Sequence, residues 1–299
     1  MKIDLHMHTK NSDGADSSQE IINKLAELKA DIVSFTDHDS VGVYLDILEG
    51  KAKVPDEISV ISGVEITSNY NGVIRDVLGY GIDVNKMNEL LSERYSTEKK
   101  IQRQKQFLKE FQKACKDYDL VYSENITITE GRKAEAFIKM FQDLITYPEN
   151  LIKCPDLKQM TMTQFFWQHY NVQGDPFFVD EASFLPTLEE AVKMIHECNG
   201  LAFLAHPFAY GLSYEEVKNF VQYSVSAGID GIEVKHNTYS VEATKRAREL
   251  AEKYNKYVSG GTDYHGSVKP DIKLITGKDN VKVNLYEIEP WVSKIGFWN

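Results

Sequence analysis

The sequence predicts an α/β fold: a parallel βα sheet of the closed-barrel kind, interrupted by a helical insertion. Three observations carry this expectation. Seven short apolar runs alternate with amphipathic helical patterns, as parallel strands joined by crossover helices do. Histidines and carboxylates stand at or near the C-terminal ends of six of the seven runs, where βα barrels gather their functional residues. A block of roughly 100 residues between the fourth and fifth runs carries no strand signal and reads as an inserted cap. The expected domains are 1–83 with 187–299 for the sheet, and 84–186 for the helical cap.

The first run, Lys2 to His8, alternates apolar Ile3 and Leu5 with Lys2 and Asp4 and ends in His6-Met7-His8. Residues i and i+2 of a strand share a face, so the two imidazoles stand side by side where the chain leaves the sheet. Asp13-Gly14 is turn chemistry, and Ser17 three residues before Glu20 is a capping box for a helix with Ile21, Ile22, Leu25 and Leu28 on one stripe. The second strand, Asp31 to Phe35, ends in Thr36-Asp37-His38-Asp39, and a short helix follows from Val41 to Glu49. Ile58 to Ile61 is the third strand, ending in Gly63-Val64-Glu65, and Val73 to Tyr80 is the fourth, carrying Asp76. Within the insertion, 85–118, 129–145 and 161–170 read as helical, with Ile101, Leu108, Phe111 and Cys115 on one stripe. Leu201 to Leu204 is the fifth strand, leading into Ala205-His206-Pro207. Gly231 to Val234 is the sixth, followed by Lys235-His236-Asn237. Tyr257 to Ser259 is the seventh, followed by Gly261-Thr262-Asp263-Tyr264-His265-Gly266. Helices capped at Thr187 (with Glu190), at 213–227 and at 241–254 complete the alternation.

A formal net charge of −11 argues against a broad basic footprint for duplex DNA. It leaves room for a small phosphorylated substrate, because divalent cations bound by carboxylates reverse the local sign. No apolar run approaches the ~20 residues that span a bilayer, so no membrane partner is expected. The first strand begins at once, which leaves no room for a signal peptide. Cys115, Cys154 and Cys198 show no ligand spacing and read as reduced, buried thiols of a cytoplasmic protein.

His6, His8, His38, Glu65, His206, Asp263 and His265 all fall at strand ends, with Asp13 in the first such loop and Asp76 in the fourth strand. His169 and His196 lie within helical patterns and read as structural. Mixed imidazole and carboxylate donors suit Zn²⁺, Mn²⁺ or Fe²⁺ rather than an all-oxygen Ca²⁺ cage. Nine candidate ligands exceed what one ion takes, so two or three divalent ions sharing carboxylates are expected.

His-Met-His, Thr-Asp-His-Asp, Gly-Val-Glu, Ala-His-Pro and Gly-Thr-Asp-Tyr-His-Gly, in that order, resemble the PHP (polymerase and histidinol phosphatase) family. The resemblance covers residues 1–83 and 187–280, and the insertion with Glu130-Gly131-Arg132 resembles the subgroup acting on small nucleotides and short oligonucleotides. It implies a distorted seven-stranded TIM-like (β/α)7 barrel with a trinuclear metal site. By motif, His6, His8, Glu65 and Asp263 would hold one ion. Glu65 would bridge to a second held by His206 and Asp76, and Asp13, His38 and His265 would hold the third. Two departures stand out. The subgroup has His where this chain has Asp76, a harder ligand, and it has Gly-Arg-Pro-His where this chain has Gly131-Arg132-Lys133-Ala134.

The chemistry so implied is hydrolysis of a small phosphomonoester, a nucleotide or related phosphate, by metal-activated water. Arg132 is the expected phosphate clamp, and His236 and Asp39 are the candidates for the leaving-group acid or for support of the ligands. Two alternatives use the same ligand set. One is a 5'-3' exonuclease on short oligonucleotides, with Lys99, Lys100, Arg103 and Lys105 as a basic patch. The other is a metal-binding module of weakened turnover, and a metal-dependent amide hydrolase is a more distant option.

Overall fold

The computed structural model describes residues 1–131 and 134–298. The chain forms two compact units, Met1–Leu91 with Pro186–Asn299, and Ser92–Leu185. The sequence placed the divisions at 83/84 and 186/187. The helix Val84–Arg94 buries Val84, Met87 and Leu91, and the first unit runs to Leu91.

Among the described residues the first unit has eight strands rather than seven. β1 (Ile3–Asp4), β2 (Ile32–Val33) and β3 (Ser59–Val60) form a parallel sheet in that order, with Ile3 opposite Ile32 and Ile32 opposite Ser59. β4 (Gly63–Tyr70), β5 (Val73–Tyr80), β6 (Leu201–Leu204), β7 (Gly231–Lys235) and β8 (Tyr257–Gly260) form a second sheet in sequence order. The extra strand arises because the run expected as one strand breaks at Ile61-Ser62. β3 pairs with β2, whereas beyond the break Gly81 N–H donates to Ser62 O at 2.7 Å and β4 pairs with β5.

The expectation of a wholly parallel sheet is also corrected. β5 runs antiparallel to both β4 and β6. Only Asn71 and Gly72 separate Tyr70 from Val73, with φ of 52° and 82°. A two-residue turn with both φ positive is the type I′ hairpin geometry, and so short a link cannot join parallel strands. Asp76 therefore sits mid-strand, opposite Thr67, and not at a strand end.

Isolated bridges connect segments that leave the two sheets. Parallel bridges join Met7 to Tyr264 and His38 to Glu65. His8 N–H donates to Tyr264 O at 2.8 Å, Asp263 N–H to His6 O at 2.8 Å, and Asp39 N–H to Glu65 O at 2.8 Å. The ladders thus run past the short strands into the segments that carry the histidines. Below them Ile3, Leu5, Ile32, Ile61, Leu78 and Phe203 pack with Tyr80 and Trp291 in a buried core. Tyr80 donates its hydroxyl to Leu5 O, and Trp291 Nε1–H donates to Val258 O, so both large rings are satisfied as well as buried. The capping boxes expected at Ser17/Glu20 and Thr187/Glu190 are formed.

The second unit is helical. Its long helix, Thr97–Asp117, buries Phe107, Leu108, Phe111 and Cys115 against Phe137, Met140 and Phe141 of the helix Glu135–Leu144, and against Phe165, Tyr170 and Phe177. The helix expected from residue 129 starts at Glu135. The Glu135 carboxylate accepts hydrogen bonds from the backbone N–H groups of Thr129, Glu130 and Gly131, so those residues fold back as a loop. The 161–170 pattern is the short helix Met162–Phe165 followed by one π turn, Phe166–Tyr170. Arg132 and Lys133 lie outside the described residues. No helix among the described residues is long and apolar enough to cross a membrane.

Candidate metal centre

β1 delivers His6 and His8 to one side, as alternation requires, with ring centroids 5.3 Å apart and no exposure of either ring. A Cβ at Gly261 would lie 2.3 Å from His6 N and Cβ, so only glycine lets the segment after β8 approach this closely. That approach brings Asp263 and His265 to the same place.

Glu65, on β4, is the hub. Its carboxylate is fully buried, with Oε2 3.1 Å from His6 Nε2, 3.2 Å from His8 Nε2 and 3.5 Å from His38 Nδ1. Its other oxygen, Oε1, lies 3.0 Å from His206 Nε2. Asp263 Oδ1 lies 3.2 Å from His8 Nε2 and 3.6 Å from His6 Nε2. Asp13 Oδ1 lies 3.3 Å from His265 Nε2 and 3.6 Å from His8 Nδ1, with its other oxygen 4.0 Å from His38 Nε2.

Four groups bring their donor atoms within 4.8 Å of one another: His8, Asp13, His38 and His265; His6, His8 and Asp263; His6, His206 and Glu233; and His38, Glu65 and Asp76. All nine ligand candidates read from the sequence are in these groups. Asp76 reaches the cluster although its strand is antiparallel, and the Tyr210 hydroxyl donates to its Oδ2 at 3.1 Å.

Glu233 was not foreseen as a site residue. It is fully buried on β7. Its Oε1 accepts the Nδ1 proton of His6 at 2.9 Å, and its Oε2 accepts the backbone N–H of His206 at 2.8 Å. Asp4 was also missed. It accepts from Thr262 N–H, Thr262 Oγ1–H and Ile275 N–H at 2.9, 2.7 and 2.8 Å, and burial pushes its carboxyl up to about 6 against those bonds. Asp37 accepts from Thr9 N–H, Thr9 Oγ1–H and Ser12 Oγ–H, which fixes the loop that carries Asp13. The signal for these residues was present: a carboxylate inside an apolar strand, as in Ile3-Asp4-Leu5 and Ile232-Glu233-Val234, must have buried partners.

The two candidates for the acid are both engaged. Asp39 Oδ1 accepts from Thr67 N–H at 3.2 Å, and its φ of 49° turns the chain onto β4. His236 is buried. Its Nδ1 lies 2.8 Å from Thr238 Oγ1 and its Nε2 3.3 Å from Asp263 Oδ2, and burial lowers its pKa. His206 and Asp263 also have positive φ, 25° and 52°, a backbone strain of about 1–3 kcal/mol each of the kind stored at functional sites.

The electrostatics tie the imidazoles and carboxylates to one another. Burial opposes charge on every group, yet Glu65 and Glu233 hold His6 well above the usual imidazole range, and Asp263 and Glu65 raise His8 to about 9. Burial works against the carboxylates too, but the imidazoles keep Glu65, and His236 with His8 keeps Asp263, well below the usual carboxylate range. Among the described residues, His8 Nδ1 and Nε2 and His206 Nδ1 are buried without a hydrogen bond. Imidazole nitrogens facing carboxylates at 3.2 Å outside hydrogen-bond alignment fit donors built for a cation between them.

Comparison with known proteins agrees with this chemistry. The family model described as PHP domain matches residues 4–152. The chain is 26% identical over 268 residues to the 5'-3' exoribonuclease Rnm of Escherichia coli (strain K12), covering 88% of this chain and 84% of the relative. It is 24% identical over 267 residues to the 3',5'-nucleoside bisphosphate phosphatase of Chromobacterium violaceum, covering 88% and 87%. A solved structure described as an amidohydrolase from Chromobacterium violaceum superposes with a TM-score of 0.63 at 24% identity, over 89% of this chain and 88% of that one, which speaks to the fold.

Proposed function

The chain belongs to the PHP family, and from that premise we propose that it is a metal-dependent phosphoesterase that removes phosphate from a small phosphomonoester, a nucleotide or a related phosphate. The observation that carries this reading is Glu65: one buried carboxylate within 3.5 Å of imidazole nitrogens from His6, His8, His38 and His206. The relatives named above act on nucleoside bisphosphates and on RNA, both phosphoric esters.

In this reading His6, His8, Glu65 and Asp263 hold one ion, and Glu65, His206 and Asp76 a second. Asp13, His38 and His265, close to His8, hold a third. Two or three ions of Mn, Zn or Fe suit these donors. When bound, such ions supply Lewis acidity and ready water for attack on phosphorus. The chain's own residues do the rest. Glu233 keeps the His6 proton on Nδ1 and so turns Nε2 toward Glu65. Tyr210 holds Asp76, and His236 holds Asp263 from the side away from His6 and His8. Asp39 supports the strand that carries Glu65. Arg132 stays the proposed phosphate clamp on the strength of the resemblance alone.

We take the two bridged sheets as halves of one distorted (β/α)7 barrel, with β3 and β4 as a single kinked strand. The free, buried Cys115, Cys154 and Cys198 support a reducing compartment such as the cytoplasm.

A second reading, 5'-3' removal of nucleotides from short oligonucleotides, is favoured by the named function of the Escherichia coli relative and by exposed Lys99, Lys100 and Lys105 on the helix Thr97–Asp117. Protein loaded with Mn²⁺ is assayed against nucleoside monophosphates, 3',5'-bisphosphates and a 5'-phosphorylated trinucleotide, with His6→Ala beside it. Phosphate release from the mononucleotides that disappears in the variant supports the first reading. Stepwise shortening of the trinucleotide alone supports the second. Equal release by wild type and variant removes the metal centre from the reaction.

A further inference from the structure

The two oxygens of Asp263 face different ways. Oδ1 points to His8 and His6, while Oδ2 takes Lys269 Nζ at 2.7 Å and stands 3.3 Å from His236 Nε2. A cation held through Oδ1 therefore leaves Lys269 where it is. The Lys269 side chain is 41% exposed against 11% for Asp263, so the lysine joins the buried cluster to the surface, and an ammonium has three protons to donate where this contact takes one.

The residue is also held in place from both sides. Lys269 N–H donates to Gly266 O, and Ile272 N–H donates to Lys269 O. Pro270 keeps Lys269 out of the helical region, and it sits at φ −123° and ψ 72°. At one end of this loop Ala15 N–H donates to His265 O; at the other Ile275 N–H donates to the buried carboxylate of Asp4, which also binds Thr262. Nothing in the pairing of one carboxylate requires a segment so tied down, because an exposed lysine reaches an aspartate equally well from a mobile loop. A fixed ammonium at the border between the metal ligands and solvent is what an incoming phosphate dianion would meet.

We propose that Lys269 is a phosphate-binding residue of the centre, donating its remaining ammonium protons to a non-bridging oxygen of the substrate's phosphoryl group and, after hydrolysis, of inorganic phosphate. The inference rests on the phosphoesterase reading and deepens it, since it places a fixed cation of the first unit on the substrate in addition to the ions.

The test is titration calorimetry of inorganic phosphate into Mn²⁺-loaded protein, with metal content measured on the same samples. Lys269→Met binds phosphate about tenfold or more weaker than wild type, with manganese content unchanged, and Lys269→Arg recovers most of the affinity. Lys269→Gln, which keeps the polar stem, shows the same loss and guards against a packing effect of methionine. Wild-type affinity in Lys269→Met overturns the proposal and leaves the phosphoesterase reading standing. Loss of manganese in Lys269→Met also overturns it, because the lysine would then act only through Asp263. No phosphate binding by wild type, together with no release from any ester, overturns the phosphoesterase reading itself.

Discussion

Glu233 Oε1 accepts the Nδ1 proton of His6 across 2.9 Å, with both side chains fully buried. One face of the imidazole is thereby committed to a carboxylate on β7, and the other is left to Glu65 and Asp263. The same carboxylate holds the backbone N–H of His206, whose φ of 25° is strained. A single residue thus sets the orientation of one ligand and the backbone of another.

Replacing Glu233 by Gln keeps the volume but removes the charge that fixes the His6 tautomer. Metal affinity falls about 10–100-fold, the usual effect of losing a partner behind a ligating histidine. Chelator competition with Mn²⁺ reads the change. Affinity equal to wild type would show that His6 is oriented without Glu233.

Asp76→His replaces a hard oxygen donor by a softer imidazole beside His38 and Glu65. The prediction is a shift of bound metal toward Zn²⁺ and away from Mn²⁺ in protein equilibrated with both, measured by elemental analysis. An unchanged ratio would mean that Asp76 holds no ion.

The metal-free protein depends on pH through its histidines. Burial disfavours their charge, but the neighbouring carboxylates prevail and raise His6, His8 and His206 above the usual imidazole value, His8 to about 9. A raised folded-state pKa stabilises the fold fully below the unfolded value of about 6.5 and loses that stabilisation as pH climbs through about 9. Metal-free protein is therefore expected to become less stable between pH 6.5 and 9.5, seen as a falling thermal midpoint. Acid destabilises it as well, since Glu65 and Asp263 are held below the usual carboxylate range and must be protonated as pH drops. A midpoint that rises from pH 6.5 to 9.5 would contradict the charge arrangement described.

Much of the side-chain cluster was readable from the chain because each candidate ligand lies within a few residues of an apolar run, and strand ends converge. His6, His8 and His38 required nothing more than alternation and position. The direction of β5 was also written in the sequence, in Asn71-Gly72, but outweighed by the surrounding βα rhythm. What local pattern does not encode is the break at Ile61-Ser62, set by which neighbour each half pairs with. The loop at 129–131 was hidden for a related reason, since Glu135 there binds backbone that its propensity would leave helical. Glu233 and Lys269 became visible as site residues only when tertiary contact placed them against His6 and Asp263.

The most direct measurement is the location of bound metal. Anomalous scattering from crystals grown with Mn²⁺ should give peaks in contact with the Glu65 carboxylate, one of them also touching His6, His8 and Asp263. Peaks confined to the molecular surface, or none within reach of Glu65, would contradict the account.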